Sequence, residues 1–191
     1  MKKIGIFGGA FNPPHKGHVR LARDFADRLT LDEVLIVPSF IPPHKSAAAL
    51  AGAADRLQMC RLAFCDDKRF IVSTVEIDRG GKSYTYDTLL AIQEKNPGAE
   101  LYLIIGSDMF LSFDTWHRYR DILKICTLCT APREEGLTLA ENPYNALISD
   151  SPALELNSTM LREMLKKGEN IAEYTGEKVA RYIRRRGLYR D

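Results

Sequence analysis

Cysteine is scarce in this 191-residue chain: the four thiols stand at Cys60, Cys65, Cys126 and Cys129. The only N-terminal basic and apolar stretch, Lys2-Lys3 followed by Ile4 to Phe11, is interrupted at once by Asn12-Pro13-Pro14, so it lacks the pattern of a signal peptide. A disulfide framework is therefore not expected. Cys126-Thr-Leu-Cys129 has the spacing of a metal-ligand pair, but Cys60 and Cys65 are not paired as CxxC, and Ile125-Cys-Thr-Leu-Cys-Thr130 reads as a strand. Buried, reduced thiols are the expectation, with no metal site. Net charge is nearly absent as well: 27 Lys and Arg against 25 Asp and Glu leave +2. No strong overall field would draw such a chain onto nucleic acid or an anionic membrane, so any phosphate must be held by local groups. No run approaches the roughly 20 apolar residues of a membrane span. These absences predict a soluble, cytoplasmic protein without nucleic-acid or membrane partners; self-association into a homo-oligomer stays open.

With 45% hydrophobic and 27% charged residues, the composition suits one globular domain covering residues 1–191. Lys3 to Phe7 is apolar and β-prone, and Pro13-Pro14 keeps a helix from starting before Lys16 or Gly17. A helix from about Gly17 to Leu29 follows, its apolar residues at helical spacing, and Glu33 to Val37 reads as a strand buried on both faces. The alternation continues with a helix near Ala54 to Cys65, a strand near Phe70 to Glu76, a helix from Ser83 or Thr85 to Glu94 and a strand from Leu101 to Ile105. A helical stretch near Tyr119 to Lys124 leads into the cysteine-bearing strand. After Ala153 to Leu156, Asn157-Ser158-Thr159 opens a helix that Gly168 ends, and a last helix runs from about Glu177 to Arg185. Such alternation predicts an α/β fold, a Rossmann-like doubly wound parallel sheet with a C-terminal helical portion.

Ligands of open parallel sheets collect beyond the carboxyl ends of the strands. There the first strand is followed by Gly8-Gly-Ala-Phe-Asn-Pro-Pro-His-Lys-Gly-His18. Gly8 and Gly9 permit close backbone approach, and a helix opening at Gly17-His18 directs free N–H groups into the crevice, an arrangement that suits an anion. The spacing of His15 and His18 can aim both imidazoles at one phosphate. The loop is neither GxxxxGK[ST] nor GxGxxG.

His15-Lys16-Gly17-His18 after an N-terminal strand resembles the HxGH signature of the nucleotidylyltransferase superfamily. Further segments are similar to the bacterial nicotinate-nucleotide adenylyltransferases: Ser39-Phe-Ile-Pro-Pro-His-Lys45, Glu76 to Thr88 with Ser83-Tyr-Thr85, Ile104-Ile-Gly-Ser-Asp108 with Trp116, Asn157-Ser-Thr-Met-Leu-Arg162, and Val179 to Tyr189. The resemblance spans almost the whole chain. It implies adenylyl transfer from ATP, with Mg²⁺ carried on its phosphates, to nicotinate mononucleotide in NAD biosynthesis. The same resemblance implies His15, His18, Lys45 and Arg162 as catalytic groups, and Gly8, Gly9, Ala10, Phe11, Gly106, Asp108, Ser158 and Thr159 around ATP. Ser39, His44, Thr85 and Trp116 would meet the mononucleotide. Asp108 is open to two readings, a ribose ligand or a helix cap; Trp116 to ring stacking or packing; Arg184-Arg185-Arg186 reads as a solvated helix end. Ala10 and Asn12 stand where that family more often shows Thr and Asp, and Asn157 where Ser is usual. Other HxGH adenylyltransferases account for the first loop but not for Pro42-Pro-His-Lys45 together with Ser83-Tyr-Thr85. A silent nucleotide-binding regulator would not need both histidines, Lys45 and Arg162.

Overall fold

The structure, a computed structural model, describes residues 1–43, 50–131, 142–149 and 156–190. Six strands form one parallel sheet in the order β3-β2-β1-β4-β5-β6: β1 (Lys3–Gly9), β2 (Glu33–Pro38), β3 (Phe70–Val72), β4 (Glu100–Ile105), β5 (Thr127–Thr130) and β6 (Leu147–Ile148). The helices are α1 (Lys16–Arg28), α2 (Ala53–Ala63), α3 (Val75–Arg79), α4 (Thr85–Lys95), α5 (Ser107–Leu111), α6 (Tyr119–Ile125), α7 (Ser158–Lys166), α8 (Ala172–Thr175) and α9 (Glu177–Arg186).

Side chains of the central strands alternate between two apolar layers, as the two-residue period of a strand requires. Ile4 and Ile6 of β1 and Leu101, Leu103 and Ile105 of β4 pack with Leu89 and Ile92 of α4 and Ile122 of α6. Phe7, Val34, Ile36 and Ile104 face the other way, against Ala22, Phe25 and Ala26 of α1 and Cys60 of α2. Both faces are thus covered, and the strands read as nearly continuous apolar runs. A third cluster joins Met59 of α2 to Leu161, Ile171, Val179 and Ile183, which anchors the C-terminal helices beside the sheet.

Three local departures from the expected elements have physical causes. The third strand ends at Val72, because the Ser73 Oγ accepts the Val75 N–H at 3.4 Å and Thr74 donates to Asp78 at 2.6 Å, turning the chain into α3. Short α5 and α8, and the two-residue β6, carry too little periodicity to be seen in sequence. Finally, Cys126 packs in one apolar layer and Cys129 in the other. All four cysteines are free, and burial pushes the Cys126 and Cys129 thiols up to about 12, although Cys65 is exposed rather than buried.

The strand order reverses between β1 and β4, whose neighbours β2 and β5 lie on opposite sides. A crevice opens where the connections diverge. Gly5, in the middle of β1, tests how tightly this centre is packed: an added Cβ would stand 2.8 Å from Leu31 Cδ1 and 3.1 Å from Val34 Cγ2. Gly5→Ala is expected to lower unfolding free energy by about 1–3 kcal/mol. In urea this appears as a lower midpoint with an unchanged slope; an unaltered midpoint would show that this centre yields.

Candidate active site

A cavity of about 760 Å³ occupies the switch-point crevice. Its floor is the loop after β1 and the turn after β4; α1, α4 and α7 point their N-termini toward it from three sides. Gly8 and Gly9 close β1, and the Gly9 carbonyl accepts the Ser39 N–H at 2.9 Å, tying the loops after β1 and β2 together. A Cβ on Gly8 would meet nothing within 4 Å, so the space it leaves belongs to the cavity.

His15 is the N-cap of α1 and is buried; His18 is half-buried one turn on. Their rings lie 3.7 Å apart at an interplanar angle of 33°. The His15 N–H donates to His18 Nδ1 at 3.1 Å and the His18 N–H donates to the His15 carbonyl at 2.9 Å. With Nδ1 acting as acceptor, the neutral His18 ring carries its proton on Nε2 and is a donor there. Gly17 permits the fold-back, since a Cβ at that position would stand 3.0 Å from His15 Nδ1. Phe11 (5.1 Å) and Phe7 (5.9 Å) pack against the His18 ring. Burial, reinforced by the charge of His15, holds the His18 imidazole well below its ordinary 6.5.

Arg162 reaches the same loop from α7. Its Nη1 donates to the Asn12 carbonyl at 2.9 Å and its Nη2 to Thr159 Oγ1 at 3.1 Å, while Ser158 Oγ donates to the Pro13 carbonyl at 2.9 Å. Asn157, where Ser is usual, caps α7 by accepting the Met160 N–H at 2.8 Å. Across the cavity, Thr85 is the first residue of α4, whose N-cap Tyr84 supplies no side-chain hydrogen bond, so this helix end faces the cavity uncapped. Ser83 is buried, its Oγ accepting the Phe40 N–H at 2.9 Å. Trp116 is half-buried, packing against Phe113 at 5.3 Å while lining the cavity, so packing and ring contact are compatible. Asp108 lies in the first turn of α5 and lines the cavity; a Cβ on Gly106 would come within 2.8 Å of its carboxylate.

The cavity thus brings together His15, His18, Arg162, Gly8, Gly9, Ala10, Phe11, Gly106, Asp108, Ser158, Thr159, Ser39, Thr85 and Trp116. His44 and Lys45 lie outside the described residues. Sequence reasoning missed Arg56, Tyr189 and His117. Arg56 is 1% exposed and donates to the carbonyls of Ala51, Ala10 and Phe40, each at 3.0 Å. Its position three and four residues before Met59 and Cys60, on the buried side of α2, was the available signal. The Tyr189 hydroxyl donates to Asn12 Oδ1 at 2.7 Å, beside the Ala51 N–H at 3.0 Å. His117 lines the cavity with its ring 4.7 Å from that of Tyr84.

The family model described as cytidylyltransferase-like matches residues 6–164. The nicotinate-nucleotide adenylyltransferase of Bacillus subtilis (strain 168) is 36% identical over 99% of this chain and 99% of its own length. The chain belongs to the nicotinate-nucleotide adenylyltransferase family. A relative in Geobacillus kaustophilus, named a probable nicotinate-nucleotide adenylyltransferase, is 38% identical over 99% of this chain and 87% of its own. The fold is shared with Plasmodium falciparum nicotinic acid mononucleotide adenylyltransferase complexed with NaAD, at TM-score 0.82 and 20% identity, covering 99% of this chain and 98% of that one. A second structure of the Plasmodium protein, complexed with APC, also gives 0.82, at 19% identity over 99% and 98% of the two chains.

For this family member, the lowered His18 imidazole has a consequence for stability. Below about pH 6.5 the unfolded chain binds a proton at this position more readily than the folded one, so stability falls with acidification through that range and levels off above it. Replacing His18 by Asn is expected to flatten the pH dependence of unfolding free energy below about pH 6.5, by up to about 1.4 kcal/mol per pH unit. Urea unfolding at a series of pH values measures it; identical slopes in the two proteins would contradict the burial of a neutral ring.

Proposed function

We propose that the protein transfers the adenylyl group of MgATP to nicotinate mononucleotide, forming nicotinate adenine dinucleotide and pyrophosphate, as a step in making NAD. The observation that carries this reading is the packing of His15 and His18 at the head of α1, with Arg162 reaching the same loop from α7 in one switch-point cavity.

The mononucleotide phosphate is already ionised at neutral pH and attacks the α-phosphorus in line, so the reaction needs no general base. Catalysis then consists of bringing two anions together and stabilising charge on the equatorial and leaving oxygens. His18 donates from Nε2 to the α- and β-phosphates with His15 beside it, and Arg162 balances charge growing toward pyrophosphate. Lys45 is assigned as a further cation. Mg²⁺ enters as part of the MgATP substrate, held through its phosphates. Gly106 and Asp108 meet the ATP ribose, and Ser158 and Thr159 its phosphates. The uncapped end of α4 at Thr85 accommodates the nicotinate carboxylate through helix N–H groups, with the ring on Trp116 and with Ser39 lining the same cavity; His44 is assigned to the same substrate. Among the described residues no helix is long and apolar enough to cross a membrane, and we assign the activity to the cytoplasm.

Two measurements test the proposal. His18→Ala is expected to lower kcat by about 10²–10³ while folding normally; turnover near that of the parent in a folded variant would remove its role. In parallel assays of pyrophosphate release, nicotinate mononucleotide is expected to react faster than nicotinamide mononucleotide. Equal initial rates would contradict the assignment of α4 to the carboxylate.

A further inference from the structure

We propose that Arg56 is a positioning residue for the phosphate loop: by holding the Ala10 carbonyl from behind, it turns the Ala10–Phe11 peptide so that the Phe11 N–H donates to a polyphosphate oxygen in the cavity. The inference rests on the adenylyltransferase reading for the source of that polyphosphate, the triphosphate of ATP.

The argument begins with where Arg56 lies. It is buried beneath the loop and is absent from the described cavity lining, whereas Ala10 and Phe11 both line the cavity. Arg56 Nη1 donates to the Ala10 carbonyl at 3.0 Å. The cis bond in the loop is Asn12–Pro13, so the Ala10–Phe11 peptide is trans and its C=O and N–H point in opposite directions. Pinning the carbonyl toward the guanidinium therefore directs the Phe11 N–H away from it, toward the cavity side. Among the described residues that N–H makes no hydrogen bond. Phe11 has φ of 46°, a left-handed conformation that a bulky residue adopts only when its surroundings hold it.

The chemistry of the guanidinium points the same way. Its three hydrogen bonds all go to carbonyls, and the carboxylate that attracts it, buried Glu76, does so without a hydrogen bond to it among the described residues. A buried cation held by carbonyls and only remotely by a carboxylate is costly, and an incoming polyphosphate adds favourable negative charge. The charge also polarises the Ala10–Phe11 peptide, strengthening its N–H as a donor to an anion. Arg56 has no place in the cavity, so it acts through the peptide it orients.

Arg56→Lys keeps the charge but cannot hold three carbonyls with one ammonium in the same fork geometry. We expect it to weaken binding of inorganic tripolyphosphate by about tenfold. Adenosine binding should stay within about twofold, with both affinities measured by calorimetry. In turnover, kcat should fall while KM for nicotinate mononucleotide changes little. Unchanged tripolyphosphate affinity, or equal weakening of both probes as expected of general damage to the cavity, would overturn the inference. If the variant does not fold, the wild-type protein still decides: the Phe11 amide proton is expected to shift downfield in NMR spectra on adding tripolyphosphate, and a stationary resonance would overturn the inference. Wild-type turnover of ATP with the mononucleotide separates the two claims. Its absence counts against the adenylyltransferase reading, whereas turnover with a stationary Phe11 resonance counts against the role of Arg56 alone.

Discussion

The reciprocal hydrogen bonds that join His15 to His18 across Gly17 govern the crevice. They consume the N–H of the helix cap and the Nδ1 of the second ring, so the remaining donor of neutral His18 is Nε2. Burial against Phe11 and Phe7 keeps that ring neutral. A donor held this way needs little reorganisation when charge develops nearby, which is the physical basis of electrostatic catalysis. Gly17 leaves room for this contact, since a Cβ there would stand 3.0 Å from His15 Nδ1.

Two imidazoles cannot hold a flexible loop by themselves, and the structure supplies the rest from distant parts of the chain. Arg162 and Ser158 fasten the Asn12 and Pro13 carbonyls from α7, and the Tyr189 hydroxyl fastens the Asn12 side chain from just beyond α9. Arg56 ties the loop after β1 to the connection between β2 and α2 through three carbonyls. The C-terminal helices, set beside the sheet by the Met59–Leu161–Ile183 cluster, thus reach into the architecture of the N-terminal loop. Residues 177 positions apart meet at the N-terminal loop.

Much of this was legible in the residues themselves. Alternating apolar runs and helical periods placed β1, α1, β2, α4 and β4, because each element buries a continuous apolar face and its pattern is long enough to read. The glycine loop, the paired histidines, Ser83-Tyr-Thr85 and Ser158-Thr159 were visible as short motifs at strand ends, and they line one cavity. What escaped was set by tertiary context. The turn of Ser73 and Thr74 into α3 depends on two side-chain hydrogen bonds that no periodicity encodes. The spacing of Arg56 to Met59 and Cys60 hints at burial, but its carbonyl partners, one after β1 and two between β2 and α2, are set by tertiary structure. Tyr189 is recognisable only as part of a closing segment, since its partner Asn12 stands at the other end of the chain.

The most direct test of the central claim is a crystal structure with a non-hydrolysable ATP analogue bound. A polyphosphate oxygen within about 3.2 Å of His18 Nε2, at the head of α1, is the predicted result. An analogue that binds with its phosphates away from both imidazoles, the His15 and His18 rings keeping their mutual contact but touching no ligand, would contradict it.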